Sequence, residues 1–273
     1  MAKTKRMKTL TAGRLVIGVA YTQARGSDTP RARREKQRVS SLARQKLNFR
    51  AAWQKLWLLL CANFGRGDLW VTVTYDDEHL PTNRKEAKKR MTAFWDRMRA
   101  ARKRQGAELK YIYCTQETQD DGSRRLHHHF VVNSTDDRTD FEQIRSLWTD
   151  GQNVDIRVIG QSAVYPMDDF QELARYMLHE RNPEATEHAT GDRGFCCSRN
   201  IVRPTEESCL VDDSVTIGVP AGAYVIERES KANEFGSFDY VCYLLPEPQP
   251  PKKKRKRTLI SDLGQGISLG VDF

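Results

Sequence analysis

The sequence contains no apolar stretch long enough to cross a membrane. Its longest apolar run, Leu56–Ala62, covers seven positions, whereas a membrane-spanning helix needs about 18 or more. The basic N-terminus also lacks an apolar stretch of signal-peptide length followed by a small-residue cleavage site. Mean hydropathy is −0.68 and 30% of the residues are charged. We therefore expect a soluble chain that stays in the cytoplasm.

Cysteine is sparse, and its spacing excludes the common disulfide and zinc patterns. The chain has six cysteines and none of them forms a CxxC pair. In a chain of this length, such a distribution favours reduced, mostly buried thiols over a disulfide framework or a zinc knuckle. The alternative is a zinc site on a loose group of residues. That group consists of His188, Cys196, Cys197 and Cys209.

The excess of positive charge lies at the two ends of the chain. Residues 1–50 hold 14 Lys and Arg against two Asp and Glu, and residues 252–257 are all basic. Residues 51–251 hold 25 basic and 32 acidic side chains, so the body of the chain is acidic. We predict flexible ends that bind nucleic acid phosphates, although a merely solvated arm is the alternative. The predicted phosphate-binding residues of the tail are Lys252, Lys253, Lys254, Arg255, Lys256 and Arg257.

Composition divides the chain into four parts. Polar and basic residues interrupted by Gly and Pro predict an arm over 1–38, with a short strand at 14–21. Periodic apolar segments predict the folded domain over 39–205. Residues 206–246 form an extension to which no role is assigned. Residues 247–273 form a tail rich in Pro, Lys and Arg, which opens as a stiff linker.

Within the predicted domain, the period of the apolar residues alternates between that of strands and that of helices. Strands are expected at 69–75, 110–117, 126–133 and 153–159, and helices at 40–64, 84–104, 140–148 and 168–180. From residue 69 onward the order is β, α, β, β, α, β, α. This order predicts an α+β fold with a ferredoxin-like or RRM-like antiparallel sheet and helices on one face.

The segment RRLHHHFVVN contains the most specific candidate site. Side chains alternate along a strand, so His127 and His129 share one face while His128 points to the other. A hairpin turn about Gly122 would place Glu117 opposite His127 on that same face. Two imidazoles and a carboxylate suit Mn²⁺ or Mg²⁺, with Zn²⁺ possible but less fitting for phosphate chemistry. A chance cluster of histidines is the structural alternative.

Four segments resemble the successive motifs of one superfamily. They are DLWVTVTYDD, KYIYCTQE, RLHHHFVVN and ELARYMLHE, in this order. Over residues 40–205 the chain resembles rolling-circle replication initiators of the HUH endonuclease superfamily, of the bacterial phage and plasmid type. The resemblance implies the HUH nuclease fold. It also implies that His127 and His129 bind a divalent metal, that Glu117 is an accessory ligand and that Tyr176 is the nucleophile.

The resemblance further implies what the enzyme does and where. It would nick and join single-stranded or hairpin origin DNA through a 5′-phosphotyrosine intermediate, in the cytoplasm of a bacterial host. The free 3′-hydroxyl would prime synthesis, so a host helicase and a DNA polymerase are expected partners. Two rivals remain open. A transposase or relaxase would use the same chemistry, and a non-catalytic RRM-like protein would stack bases on Tyr111 and Tyr113.

The sequence departs from the superfamily pattern at two positions. A bulky apolar residue usually stands between the paired histidines, whereas this chain has His128. Either His128 is buried as a neutral, hydrogen-bonded imidazole, or the ligand pair is shifted. Lysine is common three residues after the nucleophile, whereas this chain has His179. We therefore predict that His179 handles the proton or contacts the phosphate.

Overall fold

The fold consists of two antiparallel sheets with helices between them and on one outer face. The computed structural model describes residues 4–22, 42–118, 124–135, 139–160, 170–181, 194–233 and 236–246. The basic run 252–257 and His188 lie outside these ranges, so the phosphate-binding role of the tail stays a prediction. No helix in the described ranges is long and apolar enough to span a membrane.

The elements follow the predicted order through the middle of the chain, and additional strands lie at both ends. The helices are α1 (Leu42–Asn63), α2 (Arg84–Arg104), α3 (Asp140–Leu147) and α4 (Gln171–Met177), and a 3₁₀ turn follows at His179–Arg181. The strands are β1 (Thr4–Ala12), β2 (Leu15–Thr22), β3 (Leu69–Thr74), β4 (Tyr111–Thr118), β5 (Arg124–Val132), β6 (Val154–Val158), β7 (Cys196–Cys197), β8 (Thr205–Asp212), β9 (Tyr224–Asn233) and β10 (Gly236–Leu244).

The sheet formed by the middle of the chain has the predicted ferredoxin-like arrangement. Its spatial order is β6-β3-β5-β4-β7, and its pairs are antiparallel. The α2 and α3 connections cross the same face, where Met91 and Phe94 of α2 and Ile144 of α3 pack on Val71 and Phe130. The predicted α+β class, with these helices on one face, is confirmed.

A buried ion pair joins the two helices of that face. Arg102 near the end of α2 lies 3.1 Å from Asp140 at the start of α3, and both side chains are at most 2% exposed. Asp140 also accepts hydrogen bonds from Ser134 Oγ and from the backbone and hydroxyl of Thr135. These bonds satisfy the buried carboxylate, and they fix the chain just after β5.

The opposite face of this sheet is covered by α1 and α4. Leu56 and Leu60 of α1 are fully buried between Trp70 of the central sheet and Ile17 of the other sheet. Leu173 of α4 belongs to the same apolar cluster. The predicted helix over 168–180 is therefore shorter, ending as α4 and the 3₁₀ turn. Because α4 packs beside α1, its exposed edge borders the face that carries the paired histidines.

The two ends of the chain together build the other sheet, in the order β8-β1-β2-β10-β9. The predicted short strand at 14–21 is present as β2, but the rest of the predicted arm is wrong from residue 4 onward, because β1 also pairs in this sheet. The extension 206–246 supplies three of its strands. The polar segment of β1 gave no apolar signal, since its order comes from partners about 200 residues away, such as Asp239, which binds the buried Lys5 at 3.3 Å.

Candidate active site

The three consecutive histidines lie in the middle of β5 and point to two different faces. His127 and His129 are 5% and 3% exposed and face α4, whereas His128 is fully buried on the side of α2. Their alternation follows from the extended backbone of β5. The imidazole rings of His127 and His129 lie 4.9 Å apart. The predicted division of the histidines between the two faces is confirmed.

His128 is a buried structural residue. Its Nε2 lies 2.6 Å from the hydroxyl of Tyr75, and its Nδ1 lies 3.0 Å from the hydroxyl of Thr115. Burial lowers the pKa of His128 to about 3 and raises the pKa of Tyr75. His128 is therefore neutral and hydrogen-bonded, which is the first of the two alternatives that the sequence left open.

The hydrogen bonds of His127 and His129 direct one nitrogen of each ring away from the strand backbone. The Nδ1 of His127 donates to the carbonyl of Arg125 at 2.9 Å, so its Nε2 keeps a lone pair. The Nδ1 of His129 lies 2.9 Å from the hydroxyl of Thr72. The Nε2 of His129 is buried and has no hydrogen-bond partner among the described residues. Second partners of this kind orient histidines that bind metals.

Burial also keeps His129 uncharged. It lowers the pKa of His129 well below the usual value, and the neighbouring His127, His128 and His179 lower it further. A neutral imidazole with an unbonded, buried Nε2 can accept a metal ion without first losing a proton.

The predicted register of the β4–β5 hairpin is wrong by one residue. Gln116, rather than Glu117, lies opposite His127, and Thr115 lies opposite His128. The ladder shifts between Gln116 and Thr118, where a β-bulge interrupts it. A bulge is not visible in a pattern of apolar residues, so a register counted back from the turn at Gly122 carries the error. Gln116 therefore takes the place on the histidine face that was predicted for Glu117.

Gln116 connects the histidine strand to α4. Its side chain is buried, and its Nε2 donates to the carbonyl of Tyr176 at 3.0 Å. Because a carbonyl can only accept, this contact identifies the amide nitrogen, and it also places Oε1 on the other side of the group. Oε1 is buried without a hydrogen-bond partner in the described ranges. Gln116 therefore offers a buried oxygen beside His127.

Glu117 points elsewhere. Its carboxylate is 37% exposed and lies 3.9 Å from the guanidinium of Arg84, at the start of α2. In the described part of the chain, no group of three or more His, Cys, Asp or Glu side chains is placed to hold a metal ion. The predicted set of His127, His129 and Glu117 is thus not assembled by the structure. The same finding covers Cys196, Cys197 and Cys209 of the alternative zinc site.

Tyr176 lies on the edge of α4 that faces the paired histidines. The centroid of its ring is 5.1 Å from that of His129 and 6.1 Å from that of Trp70, which stacks on His129. Its side chain is only partly buried, and it lines the same cavity as His127 and His129. The structure therefore brings the predicted nucleophile next to the predicted metal-binding histidines.

His179 lies one turn beyond Tyr176, in the 3₁₀ turn. Its Nδ1 is 2.8 Å from the carbonyl of Tyr176 and 3.1 Å from Nε2 of Gln116. The ring centroids of His179 and Tyr176 are 5.4 Å apart. With Nδ1 occupied, Nε2 is the atom of His179 through which it could exchange a proton with a substrate.

The cavity beside the histidines extends along the free edge of the sheet. Its volume is about 640 Å³. Across the sheet, Asp155 of β6, Thr72 of β3 and His129 of β5 occupy neighbouring positions in one row. The cavity is lined by Thr72, Thr74, Tyr75, Arg125, His127, His129, Asn153, Asp155, Arg157 and Tyr176. A polar groove with two arginines therefore leads to the histidines and to Tyr176.

Sequence reasoning missed Gln116 and the residues of β6. The alternation that exposed the histidines also marks Asp155 and Arg157 as sharing one face of β6, but only the pairing of β6 with β3 shows that this face is the histidine face. Nothing in the sequence marks Gln116, since its place depends on the bulge.

The aromatic residues that an RRM-like protein would offer to bases are covered. Tyr111 and Tyr113 are 8% and 6% exposed and lie under α2. The ring of Tyr111 stacks on Trp95 with 3.6 Å between centroids. These tyrosines are core residues and present no base-stacking surface.

The family comparison covers the segment that carries this site. Residues 68–180 match the family of replication-associated proteins of the ORF2 type. This segment is a replication-associated domain. It begins just before β3 and ends at Glu180, so it includes the paired histidines, Gln116 and Tyr176. The predicted resemblance to rolling-circle replication initiators is confirmed by this match.

Other comparisons add little to the assignment of the replication-associated domain. The chain is similar to a solved structure of the N-terminal nuclease domain of non-structural protein-1 from minute virus of mice. The identity is 9%, the match covers 76% of this chain and 73% of that chain, and the TM-score is 0.19. No curated protein matches the chain.

Proposed function

We propose that this protein initiates rolling-circle replication by nicking single-stranded DNA with Tyr176 and later rejoining the strand. One observation carries the proposal. Within a replication-associated domain, a tyrosine at the edge of α4 faces two buried histidines across an open polar cavity. This is the geometry that a tyrosine nucleophile and a metal-bound phosphate require.

The donor atoms at the base of the cavity suit a divalent cation. We infer that Nε2 of His127, Nε2 of His129 and Oε1 of Gln116 would hold it, because two of these atoms are buried without a hydrogen bond in the described structure. Mixed nitrogen and oxygen ligands fit Mn²⁺ or Mg²⁺. When bound, the ion would polarise the scissile phosphate and stabilise charge on the leaving oxygen. All three ligands are neutral, so they would leave its charge undiminished.

Tyr176 supplies the nucleophile in this proposal. Its phenolic oxygen attacks the scissile phosphorus in line with the 3′ oxygen, forming the phosphotyrosine bond as the P–O3′ bond breaks. The phenolic proton is lost and the 3′ oxygen gains a proton, so a free 3′-hydroxyl remains. A phenol has a pKa near 10, so proton removal needs assistance, and His179 beside the tyrosine ring is the proposed acceptor.

The groove along β6 is the proposed path of the DNA strand. Arg125 and Arg157 line it and can bind phosphates, while Asn153 and Asp155 offer groups that can bond base edges. The strand would run over the edge of the sheet toward the histidines. The proposed partners are the host helicase and DNA polymerase that would use the 3′-hydroxyl.

The proposal is tested by incubating the full chain with a 3′-labelled library of single-stranded oligonucleotides and Mn²⁺. We expect a covalent protein–DNA band on a denaturing gel that requires the metal, and the recovered DNA gives the nick site. Binding of the library without any adduct, in Mn²⁺ or in Mg²⁺, would instead indicate a non-catalytic binding protein. A nick that maps to a hairpin origin on the element encoding the chain distinguishes replication from transposition or mobilisation.

The ligand assignment predicts different effects at two adjacent positions. Replacing Gln116 with alanine should weaken Mn²⁺ binding by about tenfold or more, because a ligand is lost. Replacing Glu117 with alanine should change the dissociation constant less than about twofold, since its carboxylate faces Arg84. Calorimetric titration of both variants with Mn²⁺ measures the difference. The reverse order of effects would restore Glu117 as the ligand.

A further inference from the structure

The contacts of Glu180 point to a role that the proposed chemistry does not assign to it. Glu180 lies in the 3₁₀ turn after the tyrosine helix, and it is 7% exposed although it is acidic. Its Oε1 accepts a hydrogen bond from the backbone N–H of Glu117 at 2.6 Å. Its Oε2 accepts one from Arg84 at 2.9 Å. A nearly buried carboxylate with both oxygens engaged is held in one place.

Arg84 extends these contacts to a third part of the molecule. It is the first residue of α2, and its Nη1 donates to the carbonyl of Thr115 at 2.7 Å while Nη2 binds Glu180. Thr115 and Glu117 flank Gln116, at the bulge in β4. The pair of Arg84 and Glu180 therefore grips the strand on both sides of the proposed ligand.

The same strand residue reaches back to the nucleophile. Gln116 donates to the carbonyl of Tyr176, four residues before Glu180. Two separate connections thus join the bulge to the tyrosine segment, one through Gln116 and one through Glu180. Between them they fix the bulge, the start of α2 and the end of the tyrosine segment relative to one another.

We propose that Glu180 and Arg84 are positioning residues for the nicking reaction, which set the distance between the metal-binding strand and the Tyr176 segment. This inference rests on the proposed function. Neither side chain lines the cavity beside the histidines, so both act through Gln116 and Tyr176. An error of about 1 Å in the placement of reacting groups can reduce a rate by about 100-fold.

The test separates the rate of chemistry from DNA binding. Glu180→Gln keeps the size and the oxygen that binds the Glu117 N–H, but it removes the charge that holds Arg84. Glu180→Ala removes both contacts. We expect single-turnover adduct formation to fall about tenfold and about 100-fold, respectively. Affinity for the same oligonucleotide, measured in EDTA, should stay within about twofold of the wild type, because the groove is unchanged.

Two further variants test whether the pair acts as a unit. Arg84→Lys keeps the charge but cannot bind Thr115 and Glu180 together, so an intermediate rate is expected. The double variant Arg84→Ala/Glu180→Ala should be no slower than the slower of the two single alanine variants, because both remove the same connection.

A matched ion pair controls for loss of stability alone. Asp150 pairs with Arg90 of α2 at 3.5 Å, and its side chain is 15% exposed. Asp150→Asn should lower the unfolding temperature as Glu180→Gln does, while the adduct rate stays at the wild-type value. Folded Glu180 variants that react at the wild-type rate would overturn the inference, as would equal losses of rate in the control. A wild-type chain without any adduct would remove the proposed function itself.

Discussion

Replacing Tyr176 with phenylalanine is expected to abolish the covalent protein–DNA adduct, with a loss of at least about 10⁴-fold in its rate of formation. The phenolic oxygen is the atom that would form the new ester bond, and phenylalanine removes only that atom. The ring remains to pack against Trp70 and His129, so the fold should be preserved. Denaturing gels with a 3′-labelled oligonucleotide measure the adduct.

A second tyrosine provides the control. Tyr224 is 59% exposed on β9, in the sheet formed by the chain ends. Tyr224→Phe should form the adduct at the wild-type rate. Equal adduct from Tyr176→Phe and the wild type would identify a different nucleophile, whatever the state of the metal site.

The three histidines are expected to separate into two that support activity and one that supports stability. His127→Ala and His129→Ala should each lower adduct formation by about 10³-fold or more, since each loses a proposed metal ligand worth several kcal/mol. Their thermal unfolding in EDTA should change much less, because these imidazoles border a cavity. Metal titration and the adduct assay on the same preparations give both quantities.

His128→Ala should show the opposite behaviour. It empties a buried site and leaves the hydroxyls of Tyr75 and Thr115 without their partner, which costs about 2 to 5 kcal/mol of the free energy of unfolding. The adduct rate per folded molecule should stay close to that of the wild type. A His128→Ala protein of normal stability that no longer binds Mn²⁺ would show that the ligand pair is shifted.

Acid should affect the fold through His128. Its pKa is about 3 in the folded protein and about 6.5 when unfolded, so only the unfolded chain takes up this proton between those values. Stability is fully present above pH 6.5 and is lost as the pH falls toward 3, by about 1.4 kcal/mol per pH unit from this residue. Denaturant titrations at several pH values, compared with those of His128→Ala, measure this contribution.

Local pattern was sufficient for the central elements and for the faces of the histidines. Strand β5 alternates by geometry, so His127 and His129 had to share a face wherever the strand lay. The alternation of strands and helices likewise determined the ferredoxin-like order, since connections of that length leave few arrangements. Tyr176 was found through resemblance of motifs, not through periodicity.

Long-range contacts decided the rest. The bulge that exchanges Glu117 for Gln116 is stabilised by Arg84 and Glu180, which lie more than 30 residues away in sequence. The strands of the other sheet pair across about 200 residues, so the polar β1 shows no local signal.

The sequence by itself determined the strand that carries the histidines, the helix that carries the tyrosine, and the alternation that divides the imidazoles between two faces. Each of these depends on backbone geometry within a few residues. Only the tertiary structure decided which oxygen lies beside His127, and what covers each face. Those outcomes depend on hydrogen bonds and packing between segments far apart in the chain, which no local pattern records.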